Sequence, residues 1–329
     1  MHDLHPVAIM PTFSFIIPVK PGGRIAALES LRRLAADASR FEVLIAEGCS
    51  PSRQRNSAAH EARGDILFFL DDDSLVSPDC LDTCASIMTD ASVTVVGGPS
   101  LTPATDSPLQ QLFGLTLTSL FGAGGMRNRY RSVGGVRETT DKELILCNLA
   151  MQRDIFLTAG GLDERLYPNE ENELLDRIQA SGHKLVHAPH MAIHRSQRKS
   201  LRLFIRQMYS YGRGRAQQTL IVGSGPIIGF VPLLFLLYLA LLPFVASTPL
   251  FFIPLCCYVA LDIFFTAAAI ASASSFSCIL LLFLFPLMHL SNGYGLLYGL
   301  IRGKSGVSQI SDNQSITIRR LKEFGQLDW

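Results

Sequence analysis

DILFFLDDDSLVSP, Asp65 to Pro78, is the stretch on which the fold turns. Ile66 to Leu70 is an unbroken apolar run of strand length, suited to a strand buried on both faces. It runs straight into Asp71, Asp72 and Asp73. Adjacent carboxylates repel one another and give up hydration at a cost. A solvated turn explains such acids where Asp73 or Ser74 caps a following helix. A divalent cation explains them better at this position, because ligands of open α/β sheets gather at the carboxyl ends of strands.

The flanking sequence supplies the rest of such a sheet. FSFIIPV (Phe13–Val19) and FEVLIAEG (Phe41–Gly48) read as strands before it, and SVTVVGGP as a fourth after it. Between them GRIAALESLRRLAAD carries Ile25, Leu28, Leu31 and Leu34 at helical spacing. SRQRNSAAHEARG is a polar helix closed by Gly64, and SPDCLDTCASIMTD offers Ser77 as N-cap before Pro78. This alternation predicts a parallel sheet covered on both faces. Ser107–Met126 fits either a core helix or a segment in a membrane interface. Farther on, the chain reads strand, helix, turn, acidic patch, helix closed by Gly182, and the strand KLVHAP.

The chain has 329 residues and a net charge of +1, so bulk charge gives no sign of a nucleic-acid partner. Charge distribution says more. No Asp or Glu occurs between Arg177 and Leu261, while Arg195, Arg198, Lys199, Arg202, Arg206, Arg213 and Arg215 crowd the start of that interval. Three apolar stretches follow, about 226–246, 249–271 and 276–301, the second carrying Asp262. The expected organisation is a catalytic domain over 1–225, with a basic membrane-proximal helix at about 196–215, then membrane helices over 226–301 and a basic tail over 302–329. The arginines ahead of the first span argue for a cytoplasmic domain. Three crossings would put the tail on the opposite side; two, with an interfacial third segment, keep it on the same side, which is the expectation here. Seven cysteines without C-x-x-C spacing, and His2, Asp3 and His5 interrupting any apolar leader, suggest reduced thiols and no secretory signal.

Four features in order resemble the inverting family 2 glycosyltransferases of the GT-A fold, over roughly residues 13 to 215. The resemblance implies an α/β, Rossmann-like, mostly parallel sheet with helices on both faces, followed by the helical membrane region. The first feature is FSFIIPV with its KPGG loop, where Pro18 and Lys20 would border the nucleotide. The second is LIAEGCSPSRQRN…DDD: Glu47 stands where the family's acid meets the base, and Arg55 where an arginine can pair with diphosphate oxygens. The three aspartates then match the DxD motif, with Asp71 and Asp72 on the nucleotide side, and Asp73 with Asp71 at a Mn2+ or Mg2+ ion.

The third feature is PNEENELLDRI, preceded by CNLAMQRDIFLTAGGLDE. The resemblance makes Glu171 the base that deprotonates the acceptor hydroxyl, with Glu170 as the other choice, and puts Asn148 near the donor sugar. The fourth is His194 in MAIHR, a further metal or diphosphate ligand in the family pattern, with His187 and His190 nearby. SLRLFIRQMYSYGRGRAQQ is similar to the family's membrane-proximal segment. The processive synthases' Q-x-x-R-W is absent, since the only tryptophan is Trp329, so a single addition is expected. The implied activity is transfer of one sugar from a nucleotide-sugar donor to a lipid-linked saccharide at a membrane, in polysaccharide or glycolipid synthesis. Alternatives are a polyprenyl-phosphate sugar synthase and a non-catalytic membrane subunit retaining the fold.

Overall fold

The computed structural model describes residues 10–223, 227–303 and 315–329. His2, Asp3 and His5, the expected domain boundary at Ser224–Pro226, and Lys304 and Asp312 of the tail lie outside the described residues. In chain order the first half comprises β1 (Phe13–Val19), α1 (Ala27–Leu31), β2 (Phe41–Glu47), α2 (Pro51–Glu61), β3 (Ile66–Leu70), β4 (Leu75–Val76), α3 (Cys80–Ile87), β5 (Val93–Gly97), β6 (Ser100–Leu101), α4 (Pro108–Thr118) and α5 (Leu120–Ala123). Then come β7 (Arg137–Glu138), β8 (Asn148–Gln152), α6 (Arg153–Thr158), α7 (Glu170–Ala180), β9 (Lys184–His187), β10 (Ile193–His194), α8 (Leu201–Val222), α9 (Val231–Leu241), α10 (Ile253–Ala273), α11 (Leu281–Arg302) and β11 (Thr317–Lys322).

The main sheet runs β11-β2-β1-β3-β8-β5-β9-β7. Strands β2, β1 and β3 are parallel, as are β5 and β9. Side chains alternate across this sheet. Phe13, Phe15, Ile17 and Phe68 face one core, beneath α1 and α3, while Ile16, Leu44, Leu67 and Phe69 face the other, beneath α2, α6 and α7. Helices therefore cover both faces, as the continuous apolar strands require. The sheet is nonetheless mixed. Strand β8 lies antiparallel between β3 and β5, with Asn148 opposite Leu70. It is entered through an irregular segment rather than a crossover helix, so it starts at the edge where β3 ends. A separate small sheet, β4-β10-β6, closes over that edge.

Some elements differ from their sequence reading. The helix expected over GRIAALESLRRLAAD, Gly23–Asp37, is reduced to Ala27–Leu31, because the loop after it is captured by Pro78, whose carbonyl accepts from Ala35 at 2.9 Å. Helix α3 starts at Cys80, with Asp79 rather than Ser77 at the N-cap. Ser107–Met126 is the core-helix alternative: Ser107 and Gln110 form a capping box for α4, which packs Leu112, Phe113 and Leu117 against α8 and α11. The membrane-proximal helix begins at Leu201, capped by Ser200, and continues to Val222.

The basic tail is not simply a solvated segment. Strand β11 pairs antiparallel with β2, Thr317 opposite Glu47 and Arg319 opposite Ile45. Lys322 is buried, and its ammonium donates to the carbonyls of Ala38 and Phe41, each at 2.7 Å. Arg320 pairs at 2.7 Å with Glu42, which is fully buried. Three helical segments, Ile227–Phe244, Pro249–Ala273 and Phe276–Arg302, are long and apolar enough to cross a membrane. The third is also packed on the α/β part: α11 lies along α8, and Leu281, Leu284, Phe285 and Met288 share a core with α4 and the start of α8.

Candidate active site

The aspartates at the end of β3 sit in a turn closed by Ser74, whose peptide N–H donates to the Asp71 carbonyl at 3.1 Å. The Ser74 hydroxyl also donates to the Cys147 carbonyl at 3.2 Å, pinning the turn to the start of β8. From α2, Arg55 reaches the same place. It is buried, pairs with Asp71 at 2.6 Å, and lies 3.5 Å from Glu170. Arg195, immediately after β10, pairs with Asp71 at 3.0 Å and Asp73 at 2.6 Å. One continuous charge network thus joins β3, α2, α7 and the β10 edge.

The charges explain how these acids coexist. Burial pushes Asp71 up, but Arg195 and Arg55 outweigh it and hold the carboxyl below its ordinary value. Asp72 is pushed up by burial and by Asp73 and Asp71. Glu170, buried and beside Glu171, is pushed up to about 8 despite Arg55. Glu171 is less buried and lies 3.4 Å from Arg129. Arg129 also donates to Asn172 and to the Asp141 carbonyl, which ties the start of α7 to the preceding loop.

The loop leading into α7 is shaped for this placement. Tyr167–Pro168 is a cis peptide, and Asn169 adopts φ +90°, a left-handed conformation that asparagine tolerates better than most residues. Its amide donates to Gln218 at 3.1 Å, and Arg213 donates to the Tyr167 carbonyl at 3.1 Å. Helix α8 therefore holds the segment that aims Glu170 and Glu171. Gly214 makes the approach possible, because a Cβ there would overlap the Pro168 carbonyl.

Of the other expected residues, Glu47 ends β2 beside the Arg319 guanidinium, 3.4 Å away. Lys20 is exposed in the loop after β1, and Pro18 lies in β1 opposite Ala46. Gln54 stitches the two strand ends together by donating to the carbonyls of Val19 and Ala46. Asn148 is fully buried, donating to the Met191 carbonyl at 2.6 Å and the Pro99 carbonyl at 3.4 Å, so it ties the β9–β10 loop to the β5–β6 turn. His194 is exposed on β10, and it is Arg195, one position on, that meets the aspartates. His187 is buried, with burial and Arg137 keeping it below its ordinary value. Among the described residues no cluster of three His, Cys, Asp or Glu forms an all-protein metal cage.

Comparison with known proteins decides the family. The model of glycosyl transferase family group 2 matches residues 66–290, more than half of the chain. This chain is a family 2 glycosyltransferase. The match takes in the strand-end aspartates, Glu170 and Glu171, α8 and the apolar helices. Among solved structures, the mannosyltransferase PcManGT from Pyrobaculum calidifontis, in complex with GDP-Man and Mn2+, is similar with TM-score 0.53 and 14% identity, covering 89% of this chain and 88% of that one. The S. aureus TarS 1–349 fragment gives TM-score 0.43 and 14% identity, and this chain spans 65% of its length. No curated protein sequence matches. The enzyme therefore has the GT-A fold, with a mixed sheet and three long apolar helices.

Three residues of this glycosyltransferase's site escape sequence reasoning. Arg195 follows His194, and only the pairing of β10 with β4 and β6 decides which of the two faces Asp71. Arg129 comes from an irregular segment with no periodicity to place it. Arg319 arrives from a region separated from β2 by the apolar helices.

Proposed function

We propose that this glycosyltransferase moves one sugar from a nucleotide-sugar donor to a lipid-linked saccharide at the cytoplasmic membrane face, with inversion at the anomeric carbon. The observation that carries the reading is Arg55, which bridges Asp71 at the strand end to Glu170 at the start of α7. That bridge brings diphosphate chemistry and proton-accepting chemistry into one place, beside helices able to enter a bilayer. In this reading Pro18, Lys20 and Glu47 border the nucleoside, and Arg55 and Asp71 orient the diphosphate end. Glu171 takes the acceptor hydroxyl proton as the new C–O bond forms and the bond to the diphosphate breaks. It suits that task better than Glu170, which is more deeply buried and held protonated at neutral pH.

The donor set also fits a divalent cation. Asp71 and Asp73 already converge on one positive group, the Arg195 guanidinium. Two carboxylates with no third protein ligand among the described residues suit an ion that takes its remaining oxygens from substrate phosphates. Mn2+ or Mg2+ held there would neutralise charge on the departing diphosphate. The GDP-Man and Mn2+ bound by PcManGT support this reading of donor and metal.

For the membrane, we propose that only the first two apolar segments cross. Strand β11 is part of the catalytic sheet, and α11 lies along α8 and α4. Both ends of the apolar region thus belong to the same side, which requires an even number of crossings. Nucleotide binding by the detergent-solubilised protein tests the catalytic reading. One of UDP, GDP or dTDP should bind more tightly with Mn2+, and Asp73→Ala should remove that enhancement; no binding with or without metal refutes it.

A further inference from the structure

Arg195 occupies the place that the proposed site gives to a cation. Its Nε donates to Asp73 at 2.6 Å, and a terminal nitrogen pairs with Asp71 at 3.0 Å. One guanidinium fork thus spans the two carboxylates to which Mn2+ or Mg2+ is assigned. An ion such as Mg2+ sits roughly 2.1 Å from each carboxylate oxygen it binds. On these oxygens it would press against the guanidinium, and two cations that close repel one another. The carboxylate pair therefore holds one or the other. The two aspartates do not depend equally on Arg195. Asp71 keeps a second partner, because Arg55 pairs with its other oxygen at 2.6 Å. Among the described residues Asp73 is paired with Arg195 alone. Arg195 is also the freer arginine, its side chain 24% exposed against 5% for Arg55. Removing Arg55 would strand a buried charge, whereas Arg195 can turn toward solvent. The Arg195 peptide N–H donates to the Leu101 carbonyl at 2.9 Å, continuing the β10–β6 pairing, so the backbone is held and the side chain is the part that can leave.

We infer that Arg195 is an internal counter-cation: it holds Asp71 and Asp73 in the absence of nucleotide, yields Asp73 to a divalent cation that arrives with the nucleotide, and then turns its fork to the diphosphate. The inference rests on the transferase reading above. A guanidinium fork matches phosphate oxygens as well as it matches carboxylates. A cation–nucleotide complex brings both the charge that Asp73 accepts and the anion that Arg195 needs. A cation alone brings only the first, and has to break an ion pair with nothing offered to the arginine. Metal and nucleotide should therefore bind cooperatively, with Arg195 keeping the metal out until the nucleotide is present.

Titration of the full chain in detergent with Mn2+ alone, followed by loss of the free ion's paramagnetic resonance signal, tests the exchange. Arg195→Gln should bind Mn2+ at least about tenfold more tightly than the unsubstituted protein, because no positive charge then faces the ion. That gain should vanish when Asp73→Ala is added, since the carboxylate freed by the exchange is gone. Arg195→Lys keeps the charge and should stay near the unsubstituted affinity. A merely structural arginine would move both variants alike, so an equal gain in Gln and Lys, or none in Gln, overturns the inference. A second readout needs no variant. Saturating Mn2+ should increase modification of Arg195 by phenylglyoxal in the unsubstituted protein, read by mass spectrometry, and modification indifferent to Mn2+ overturns the inference as well. Binding of UDP, GDP and dTDP to the same samples separates the readings. If none binds the unsubstituted protein, the transferase reading falls. If one binds as tightly without Mn2+ as with it, Arg195 stands permanently in the cation's place, and the exchange falls while the transferase reading survives.

Discussion

At the scale of single residues, the site is a set of carboxylates kept compatible by arginines. Asp73 is the most exposed of the network acids, with its side chain 45% accessible and Arg195 as its ion-pair partner. Asp73→Ala should therefore cost at most about 1 kcal/mol of stability, as exposed pairs do, while abolishing sugar transfer. Calorimetry and a transfer assay on one preparation check both halves. Asp71→Ala should behave differently, because it strips a partner from buried Arg55. A loss of roughly 3 kcal/mol is expected, typical of breaking a buried pair. Glu171→Gln should leave nucleotide binding intact and slow transfer by about 100-fold or more, the usual contribution of a general base. Full activity in that variant, with loss in Glu170→Gln, would move the base by one residue.

Glu170 also gives a pH dependence. Its folded value lies near 8, above the ordinary carboxylate value of 4.5, so folding favours its protonated form. The stability this provides is complete below the unfolded value and disappears as pH rises through about 8. The melting temperature should accordingly fall between about pH 5 and 8 and level off above that, and Glu170→Gln should flatten that fall. An equal decline in both proteins would count against the assignment.

At the scale of elements, α8 and α11 decide how the catalytic part meets the apolar part. Their contact depends on glycines. A Cβ at Gly212 would overlap the Asn292 carbonyl, and one at Gly295 the Tyr209 carbonyl. Gly295→Val should separate the helices at a cost of about 1–3 kcal/mol, read from the melting temperature in detergent. Because α8 also holds the Tyr167–Asn169 loop, transfer should decline more steeply than nucleotide binding. Strand β11 matters in another way. Without it, β2 becomes an open edge, with fully buried Glu42 deprived of Arg320. Lys322→Met should weaken the strand's docking, because it removes the buried ammonium that donates to the carbonyls of Ala38, Phe41 and Glu323. Faster proteolysis of the C-terminal segment is the expected sign.

At the scale of the whole molecule, two crossings predict where probes can reach. With exposed Cys49, Cys256 and Cys257 changed to serine, single cysteines at Ser247, Ser277 and Asp328 report the three connections. In sealed vesicles Ser277→Cys and Asp328→Cys should react from the catalytic side, and Ser247→Cys from the other. Labelling of Ser277 and Ser247 from one side would show that α10 does not cross.

The sequence by itself determined the strands of the parallel core, because Phe13–Val19, Phe41–Glu47 and Ile66–Leu70 are apolar on both faces and can only be buried. It determined equally that Asp71–Asp73 end such a strand, and that three segments are apolar enough for a bilayer, since both are properties of consecutive residues. Only the tertiary structure decided what those segments pair with. That β8 enters antiparallel, that Arg195 rather than His194 faces the aspartates, and that β11 returns to β2 are matters of register and long-range pairing. Local periodicity carries no record of them: a one-residue shift exchanges the two faces of a strand, and a basic hexapeptide reads the same in water as on a sheet edge.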